Sequence, residues 1–276
     1  MKLGEFDVWI LSDGTFALDG GQVFGVVPKV LWERKLPADS LNRVRFGLTC
    51  MLVRAGRYHV LIETGIGDKF DRKFRDIYGI EKPTTLLTEL SSQGLNPEDI
   101  DVVINTHLHF DHCGWNTRRE GSRVAPTFSR ARYCVQRGEW EHALAPTERD
   151  RASYIQDYFR AAQPQTDFLE GAAEIVPGIR VEVIPGHTRD MQCVWVESQG
   201  QSACFISDLV PTSAHLPYPW IMSLDLYPLE TLASRKRLLP RLAREDTLVV
   251  FPHDPTTPCT RLMESDGKIT ARPSVD

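Results

Sequence analysis

The sequence predicts a mixed α/β (α+β) fold in which two β-sheets pack together and helices cover their outer faces. Short runs rich in Val, Ile, Cys and aromatic residues recur along the chain, as expected for half-buried or buried strands. Helical patterns fall between these runs, and the order strand, strand, helix occurs in both halves of the chain. The 276 residues contain no internal repeat, low-complexity tract or linker. We therefore expect one domain that spans residues 1–276.

Nine segments are predicted as strands from their β-branched and aromatic content. Two of the gaps between them, at Gly56-Arg57 and Gly200-Gln201, predict hairpin turns. Asp266-Gly267 predicts a third tight turn near the end of the chain. The predicted strands are Val8–Leu11, Cys50–Arg54, His59–Glu63, Val102–Asn105, Ala131–Val135, Arg180–Ile184, Cys193–Glu197, Ala203–Ser207 and Leu248–Phe251.

Four segments have helical patterns. Thr84–Gln93 carries three leucines on one face and is followed by Gly94, a common residue just beyond a helix end. Leu229–Arg244 also aligns leucines on one side, but Pro240 should kink this helix or end it early. The two other predicted helices are Arg137–Leu144 and Tyr154–Ala162.

Two further segments, Asp19–Val44 and Val210–Pro228, are rich in turn-forming residues and have little periodicity. Both are predicted as long loops. Long loops in compact domains often act as lids over a functional site, so these segments are expected to shape any pocket.

The composition is that of a globular protein, with 42% hydrophobic and 25% charged residues, and the chain is long enough to bury a large core. A net charge of −5 gives no electrostatic pattern for binding nucleic acid or an anionic membrane. The six cysteines include no CxxC pair, so reduced and mostly buried thiols are expected. The amino terminus lacks a signal-peptide pattern, and no apolar run approaches the ~20 residues of a membrane span. We expect a cytoplasmic protein.

The segment Thr106–His112 contains three histidines and an aspartate within six consecutive residues. His107 and His109 are two residues apart, so in an extended chain their side chains lie on the same side. Asp111 and His112 follow after the predicted strand has turned and could face a second ion. One short loop could thus supply two ligands to each of two adjacent metals.

Three more ligand-type residues, His187, Asp208 and His253, also follow predicted strands. Sites are commonly built at strand ends, where a rigid scaffold holds a variable rim. Imidazole and carboxylate ligands without thiolate suit Zn²⁺, Fe²⁺ or Mn²⁺ in a catalytic site. Asp208 is the natural bridging carboxylate, because one of its oxygens can bind each ion. Two ions about 3.5–4 Å apart that share a hydroxide would form a nucleophile for a carbonyl or phosphoryl centre.

Together, the HxHxDH motif at 107–112, the Gly-His-Thr motif at 186–188, Asp208 and His253 resemble the motifs of the metallo-β-lactamase superfamily. Glu63-Thr64-Gly65-Ile66-Gly67 is similar to the family's Asp-Thr-Gly turn, with Glu in place of Asp. The resemblance implies a four-layer αββα sandwich with two divalent metal ions, zinc being favoured over iron or manganese. It implies that one ion is held by His107, His109 and His187. The other would be held by Asp111, His112 and His253, with Asp208 between the two.

Within that family, the motifs are most similar to those of the lactonase and phosphotriesterase branch. They imply hydrolysis of a small lactone or other carboxylic ester by the bridging hydroxide, with Asp111 as the catalytic residue that returns a proton to the leaving alkoxide. Family lactonases typically carry a tyrosine three residues after the bridging Asp, where this chain has Pro211. That role is therefore vacant or filled by another residue. Candidate substrate-binding residues in the loop that follows are His215, Tyr218 and Trp220.

Alternative functions remain open at this point. The same ligands suit a phosphotriester, phosphodiester or thioester hydrolase. An iron-dependent sulfur dioxygenase is a less favoured alternative. A metal-binding protein without catalysis also fits less well, because structural sites are usually closed and these seven ligands leave a bridging position open. The expected partner is a small molecule and neither nucleic acid nor a membrane, and the sequence also allows a homodimer.

Overall fold

Two seven-stranded β-sheets pack face to face in the computed structural model, which describes residues 1–272. A separate two-stranded hairpin, β6–β7, lies outside them. In chain order the strands are β1 (Lys2–Leu3), β2 (Phe6–Asp19), β3 (Arg43–Ala55), β4 (Tyr58–Ile62), β5 (Val102–Ile104), β6 (Thr117–Glu120), β7 (Arg123–Pro126), β8 (Arg132–Gln136), β9 (Thr166–Leu169), β10 (Ala173–Val176), β11 (Ile179–Val183), β12 (Gln192–Ser198), β13 (Gln201–Phe205), β14 (Leu248–Val250), β15 (Cys259–Ser265) and β16 (Lys268–Ala271).

The first sheet has the strand order β1-β2-β3-β4-β5-β8-β9. Strands β1 to β4 form an antiparallel meander, and β4, β5, β8 and β9 run parallel to one another. The predicted turn at Gly56-Arg57 joins β3 to β4, where Ala55 pairs with Tyr58. Parallel strands bring the loops that follow them to one edge of the sheet, and the loop after β5 begins with the predicted metal ligands.

The second sheet has the order β10-β11-β12-β13-β14-β15-β16, and only β13 and β14 pair in parallel. Asp266-Gly267 forms the turn between β15 and β16, as predicted. The turn between β12 and β13 lies one residue earlier than predicted, at Gln199-Gly200. Both of these residues have positive φ, 50° and 72°, which is the backbone geometry of a two-residue hairpin turn.

The core lies between the sheets because side chains alternate along each strand. The inward residues of both sheets form one apolar cluster, and the outward residues form separate clusters beneath the helices. Burial of this apolar surface is the main driving force for packing the two sheets together. Inward residues include Met51, Val53, Val60 and Ile62 from the first sheet and Val181, Val194 and Phe205 from the second.

Helices cover both outer faces. Helix α4 packs Leu86 and Leu90 against Leu61 and Val103 of the first sheet. The long helix α6 packs Leu238 and Leu239 against the second sheet. The predicted four-layer αββα sandwich is thus confirmed. The helices are α1 (Gly20–Phe24), α2 (Lys29–Trp32), α3 (Arg72–Ile77), α4 (Leu86–Ser92), α5 (Arg137–Leu144) and α6 (Pro228–Arg244).

Pro240 is predicted either to end its helix early or to kink it. The helix does not end there, because α6 continues to Arg244. Proline removes one N–H donor from the helix, and the carbonyl four residues earlier belongs to the exposed Lys236, where water can bind it. Leu238, Leu239 and Leu242 are buried on both sides of the proline. Tertiary packing therefore outweighs the local cost of the proline.

Two other segments differ from the sequence prediction. Asp19–Val44 is only partly loop, since β2 reaches Asp19, β3 begins at Arg43, and α1 and α2 lie between them. The Asp19 side chain caps α1, and the rings of Phe24 and Trp32 stack 5.0 Å apart. The predicted helix 154–162 is instead two 3-10 turns, separated where Phe159 adopts a φ of −133°.

No helix within residues 1–272 combines the length and the apolar character needed to cross a bilayer.

Candidate metal centre

The candidate site lies at one edge of the sandwich, beyond the carboxyl ends of four strands. The segment 107–112 follows β5, and His187 follows β11. Asp208 and His253 follow β13 and β14, the parallel pair of the second sheet. The structure brings all seven residues predicted as ligands together at this edge.

Three buried imidazoles form the first group. The Nδ1 atom of His109 lies 3.1 Å from Nε2 of His107 and 3.0 Å from Nε2 of His187. One ring nitrogen can be either a donor or an acceptor, so three nitrogens facing one point cannot all satisfy one another by hydrogen bonding. Three converging imidazole nitrogens are a ligand set that catalytic zinc sites use, so this group could hold a metal ion.

Two imidazoles and a carboxylate form the second group. Nε2 of His112 and Nε2 of His253 lie 3.2 Å apart. Oδ2 of Asp111 lies 3.6 Å from the first nitrogen and 3.5 Å from the second. This mixed nitrogen and oxygen set also suits zinc, iron or manganese.

Asp208 lies between the two groups and presents one oxygen to each. Its Oδ2 is 3.3 Å from Nε2 of His187 and 4.0 Å from Nε2 of His107. Its Oδ1 is 3.0 Å from Nε2 of His253 and 3.5 Å from Nε2 of His112. Within residues 1–272, this buried Oδ1 accepts no hydrogen bond. A buried carboxylate is costly unless a cation balances it, so the residues present fit a pair of divalent ions.

The pKa shifts of His107, His109 and Asp208 suit metal binding. For His112 and His187, in contrast, the nearby carboxylates outweigh burial and raise the pKa, so a bound metal would have to displace a proton there. Burial lowers the pKa of His107 and His109 well below the usual value, and neighbouring imidazoles lower it further, so both rings are neutral and keep a lone pair. Burial opposes ionisation of Asp208, but three adjacent imidazoles outweigh it and hold the pKa of this carboxyl well below its usual range. A metal requires neutral imidazole and ionised carboxylate.

Hydrogen bonds on the far side of the rings set the orientation of several ligands. Nδ1 of His187 lies 2.9 Å from Oδ1 of Asp225, whose other oxygen accepts a hydrogen bond from Thr231. Nδ1 of His253 lies 2.9 Å from the carbonyl oxygen of Gly47. A ring that donates from Nδ1 directs the lone pair of Nε2 toward the metal. Sequence reasoning missed Asp225, because it lies in a segment without periodicity or a motif.

The turn Glu63-Thr64-Gly65 supports the second group. Oε1 of Glu63 lies 3.5 Å from Nδ1 of His112 and accepts a hydrogen bond from the backbone N–H of Thr106. Gly65 has a φ of 64°, and a Cβ at this position would lie 2.4 Å from the Cβ of Asp13. Glycine is therefore required for this turn to approach Asp13 so closely.

A cavity of about 330 Å³ opens over the candidate ligands. Its floor contains ligands of both groups, and most of its wall residues are apolar. Arg149 lines the rim and donates a hydrogen bond to the carbonyl oxygen of Ser223. The apolar wall residues are Phe16, Leu18, Phe46, Phe110, Ala152, Met222, Leu224 and Leu226, and Tyr78 also lines the wall. Sequence reasoning missed these residues because they come from separate strands and loops.

The expectation that His215, Tyr218 and Trp220 bind substrate is corrected by their positions, since none of them lines this cavity. The His215 ring is fully buried and stacks on Phe24 with centroids 4.6 Å apart. Its Nδ1 and Nε2 lie within hydrogen-bonding distance of Thr212 and a backbone carbonyl. Tyr218 and Trp220 pack against apolar clusters of the core instead. The segment turns these side chains inward because its apolar residues cover α6 and α1.

The buried His215 predicts a loss of stability in acid. Burial, followed by the charge of Arg235, lowers the pKa of this ring from 6.5 to about 3. Between these values the unfolded chain binds a proton that the folded chain does not, so stability falls as the pH decreases from 6.5 toward 3. At pH 5 we expect a loss of about 2 kcal/mol from this group.

Urea unfolding at pH 7.5 and pH 5 measures this effect. His215→Gln removes the titrating group, so the variant should lose less stability than the wild type between the two pH values. Equal losses in both proteins would contradict the prediction.

Comparisons with known proteins indicate the family and the fold of this chain. The pattern of the metallo-beta-lactamase superfamily matches residues 44–253. An N-acyl homoserine lactonase of Bacillus cereus is 27% identical over 232 residues, which cover 77% of this chain and 83% of the lactonase. A crystal structure of a probable metal-dependent hydrolase from Staphylococcus aureus superimposes with a TM-score of 0.92 at 29% identity, and all of both chains is covered. AidC, a dizinc quorum-quenching lactonase, shares the fold with a TM-score of 0.84 at 21% identity, covering 100% of this chain and 97% of AidC.

Proposed function

The chain belongs to the metallo-β-lactamase superfamily and is a hydrolytic enzyme, and we propose that it cleaves small lactones or other carboxylic esters with two divalent metal ions. The observation that carries the proposal is the position of Asp208, which presents one carboxylate oxygen to each of two ligand groups at the floor of an apolar cavity. The lactonase relatives support the ester class.

Each ligand has a defined part in this proposal. His107, His109 and His187 would hold one ion, Asp111, His112 and His253 the other, and Asp208 would bridge them. When bound, two such ions, most readily zinc, supply a nucleophile from water at neutral pH and polarise the bond to be cut. The described residues then have to bind the substrate, orient it and move protons.

The cavity walls suit a substrate with an apolar acyl or ring portion. Phe16, Phe46, Phe110, Met222 and Leu224 all line a cavity of about 330 Å³, which is the size of a small-molecule site. Burial raises the pKa of Tyr78, and the charge of Asp111 raises it further, so the phenol remains protonated. Tyr78 can therefore donate a hydrogen bond to a substrate oxygen in this cavity, a role that Pro211 cannot perform.

Asp111 is proposed to return a proton to the leaving alkoxide. It lines the cavity, and its Oδ2 lies near the Nε2 atoms of His112 and His253, the other members of its ligand group. Asp111→Asn keeps an oxygen for metal binding but cannot carry the proton. We expect kcat to fall about 10²- to 10⁴-fold, the usual contribution of general acid catalysis, while the metal content stays at two ions per chain. Full turnover with both ions retained would rule out this role.

A substrate panel tests the proposed function as a whole. The zinc-loaded enzyme is assayed with an acyl lactone, a thioester and a phosphotriester under the same conditions. We expect the highest kcat/KM for the lactone. A clear preference for the phosphotriester or the thioester would replace the ester proposal with the corresponding hydrolase.

A further inference from the structure

His109 differs from the other candidate ligand histidines in how its ring is held. The outer ring nitrogens of His107, His187 and His253 each have a polar partner within 3.0 Å, and that of His112 lies 3.5 Å from Glu63. The outer nitrogen of His109, Nε2, is buried and has no hydrogen-bond partner within residues 1–272. Another contact must therefore fix the orientation of this ring.

Besides the rings of the two other ligands of its group, the His109 ring contacts the ring of Tyr154. The His109 and Tyr154 rings meet edge to face, with centroids 4.7 Å apart and an interplanar angle of 65°. Tyr154 is itself buried, and its hydroxyl donates a hydrogen bond of 3.1 Å to Oε1 of Glu139. The phenol is thus fixed at both ends, by the imidazole and by the carboxylate.

Glu139 connects this tyrosine to the backbone that carries the first ligand group. Its Oε1 also accepts a hydrogen bond of 3.0 Å from the N–H of Leu108, the residue between His107 and His109. Its Oε2 accepts a hydrogen bond of 2.7 Å from the hydroxyl of Thr188, which directly follows a third ligand. One fully buried carboxylate therefore joins both loops that supply the three-histidine group.

We propose that Glu139 and Tyr154 are positioning residues, which hold the three-histidine group in its metal-binding geometry in place of the outer hydrogen bond that His109 lacks. The proposal rests on the proposed two-metal function. Mutation of residues that orient metal ligands typically weakens metal binding by about 10- to 100-fold. Within residues 1–272 the pair makes no equivalent contact to the group formed by Asp111, His112 and His253, so its effect should be confined to one of the two ions.

The test is a metal-competition titration that requires no substrate. Metal-stripped wild type and Tyr154→Phe are titrated with Zn²⁺ against a chromophoric chelator. Tyr154→Phe keeps the ring but loses its hydrogen bond to Glu139, which anchors the ring against His109, so we expect the variant to bind one of two ions about 10- to 100-fold more weakly. The matched control is Tyr158→Phe, which deletes a buried hydroxyl that has no hydrogen-bond partner in the described chain. This control should bind both ions as the wild type does.

Combining Tyr154→Phe with a second substitution in either ligand group identifies which ion is bound more weakly. In His253→Ala the three-histidine group remains intact, so Tyr154→Phe should weaken the ion bound there. In His187→Ala that group is already broken, so Tyr154→Phe should have no further effect on the remaining ion. Thr188→Val removes a single hydrogen bond to Glu139 and should weaken binding of the same ion as Tyr154→Phe does. The test then does not depend on one variant alone.

The outcomes separate the two proposals. Unchanged affinity in both Tyr154→Phe and Thr188→Val, or equal weakening of both ions, would overturn the positioning role while leaving the two-metal function intact. A wild-type protein that binds fewer than two ions would instead contradict the proposed function.

Discussion

Asp208→Asn is expected to lower ester hydrolysis about a thousand-fold or more, because it removes the ionised group shared by both ligand sets and with it several kcal/mol of metal-dependent stabilisation. The amide can offer one oxygen to one ion, but it cannot bridge two ions as a carboxylate does. We therefore expect the purified variant to hold fewer than two ions per chain. Metal analysis combined with kcat/KM for a lactone measures both effects.

Asp254→Asn is the matched control for this variant. Asp254 is as buried as Asp208, but its carboxylate accepts hydrogen bonds from Ser213, Thr256 and Thr257, and among residues 1–272 it belongs to no ligand group. The control should lower stability yet leave the metal content at two ions. Full activity in Asp208→Asn would contradict the bridging role.

Arg235→Met should destabilise the fold by about 3 kcal/mol or more, since it leaves buried carbonyl groups without a donor. The guanidinium is fully buried and donates hydrogen bonds to the carbonyl oxygens of Leu209, His215 and Trp220. Burial lowers its pKa to about 10, so it remains charged at neutral pH. These bonds fix the segment that directly follows Asp208, and urea unfolding measures their loss.

Arg237→Met on the same helix provides the comparison. This side chain is 57% exposed and contacts Glu182 at 3.5 Å. An exposed ion pair contributes little, so a change of less than about 1 kcal/mol is expected. Similar losses in the two variants would show that the buried guanidinium has no special role.

The seven candidate ligands could be predicted from sequence because the chemistry of each is visible in its residue type and position. All seven are histidines or aspartates, five of them lie in two short motifs, and each motif or single ligand follows a run of residues with strong strand preference. The two sheets were predictable for the same reason, since residues such as Val194 and Phe205 lie in buried strands with a clear pattern.

The supporting residues could not be predicted in this way. Glu139 is a charged residue in a helical pattern, and such residues are usually exposed to solvent. Only the tertiary fold shows that its carboxylate is buried and bonded to Leu108 and Thr188. Asp225 is similarly hidden in a segment without periodicity. The opposite difference occurs at His215. Its place in the loop after Asp208 suggested that it lines the cavity, but its ring stacks on Phe24 in the core.

Hydrolysis of a lactone by metal-stripped protein during stepwise addition of Zn²⁺ tests the central claim most directly. The two ligand groups that share Asp208 predict negligible activity without metal and full activity at two ions per chain. A rate that is already maximal at one ion, or that does not depend on added metal, would contradict a two-metal hydrolase.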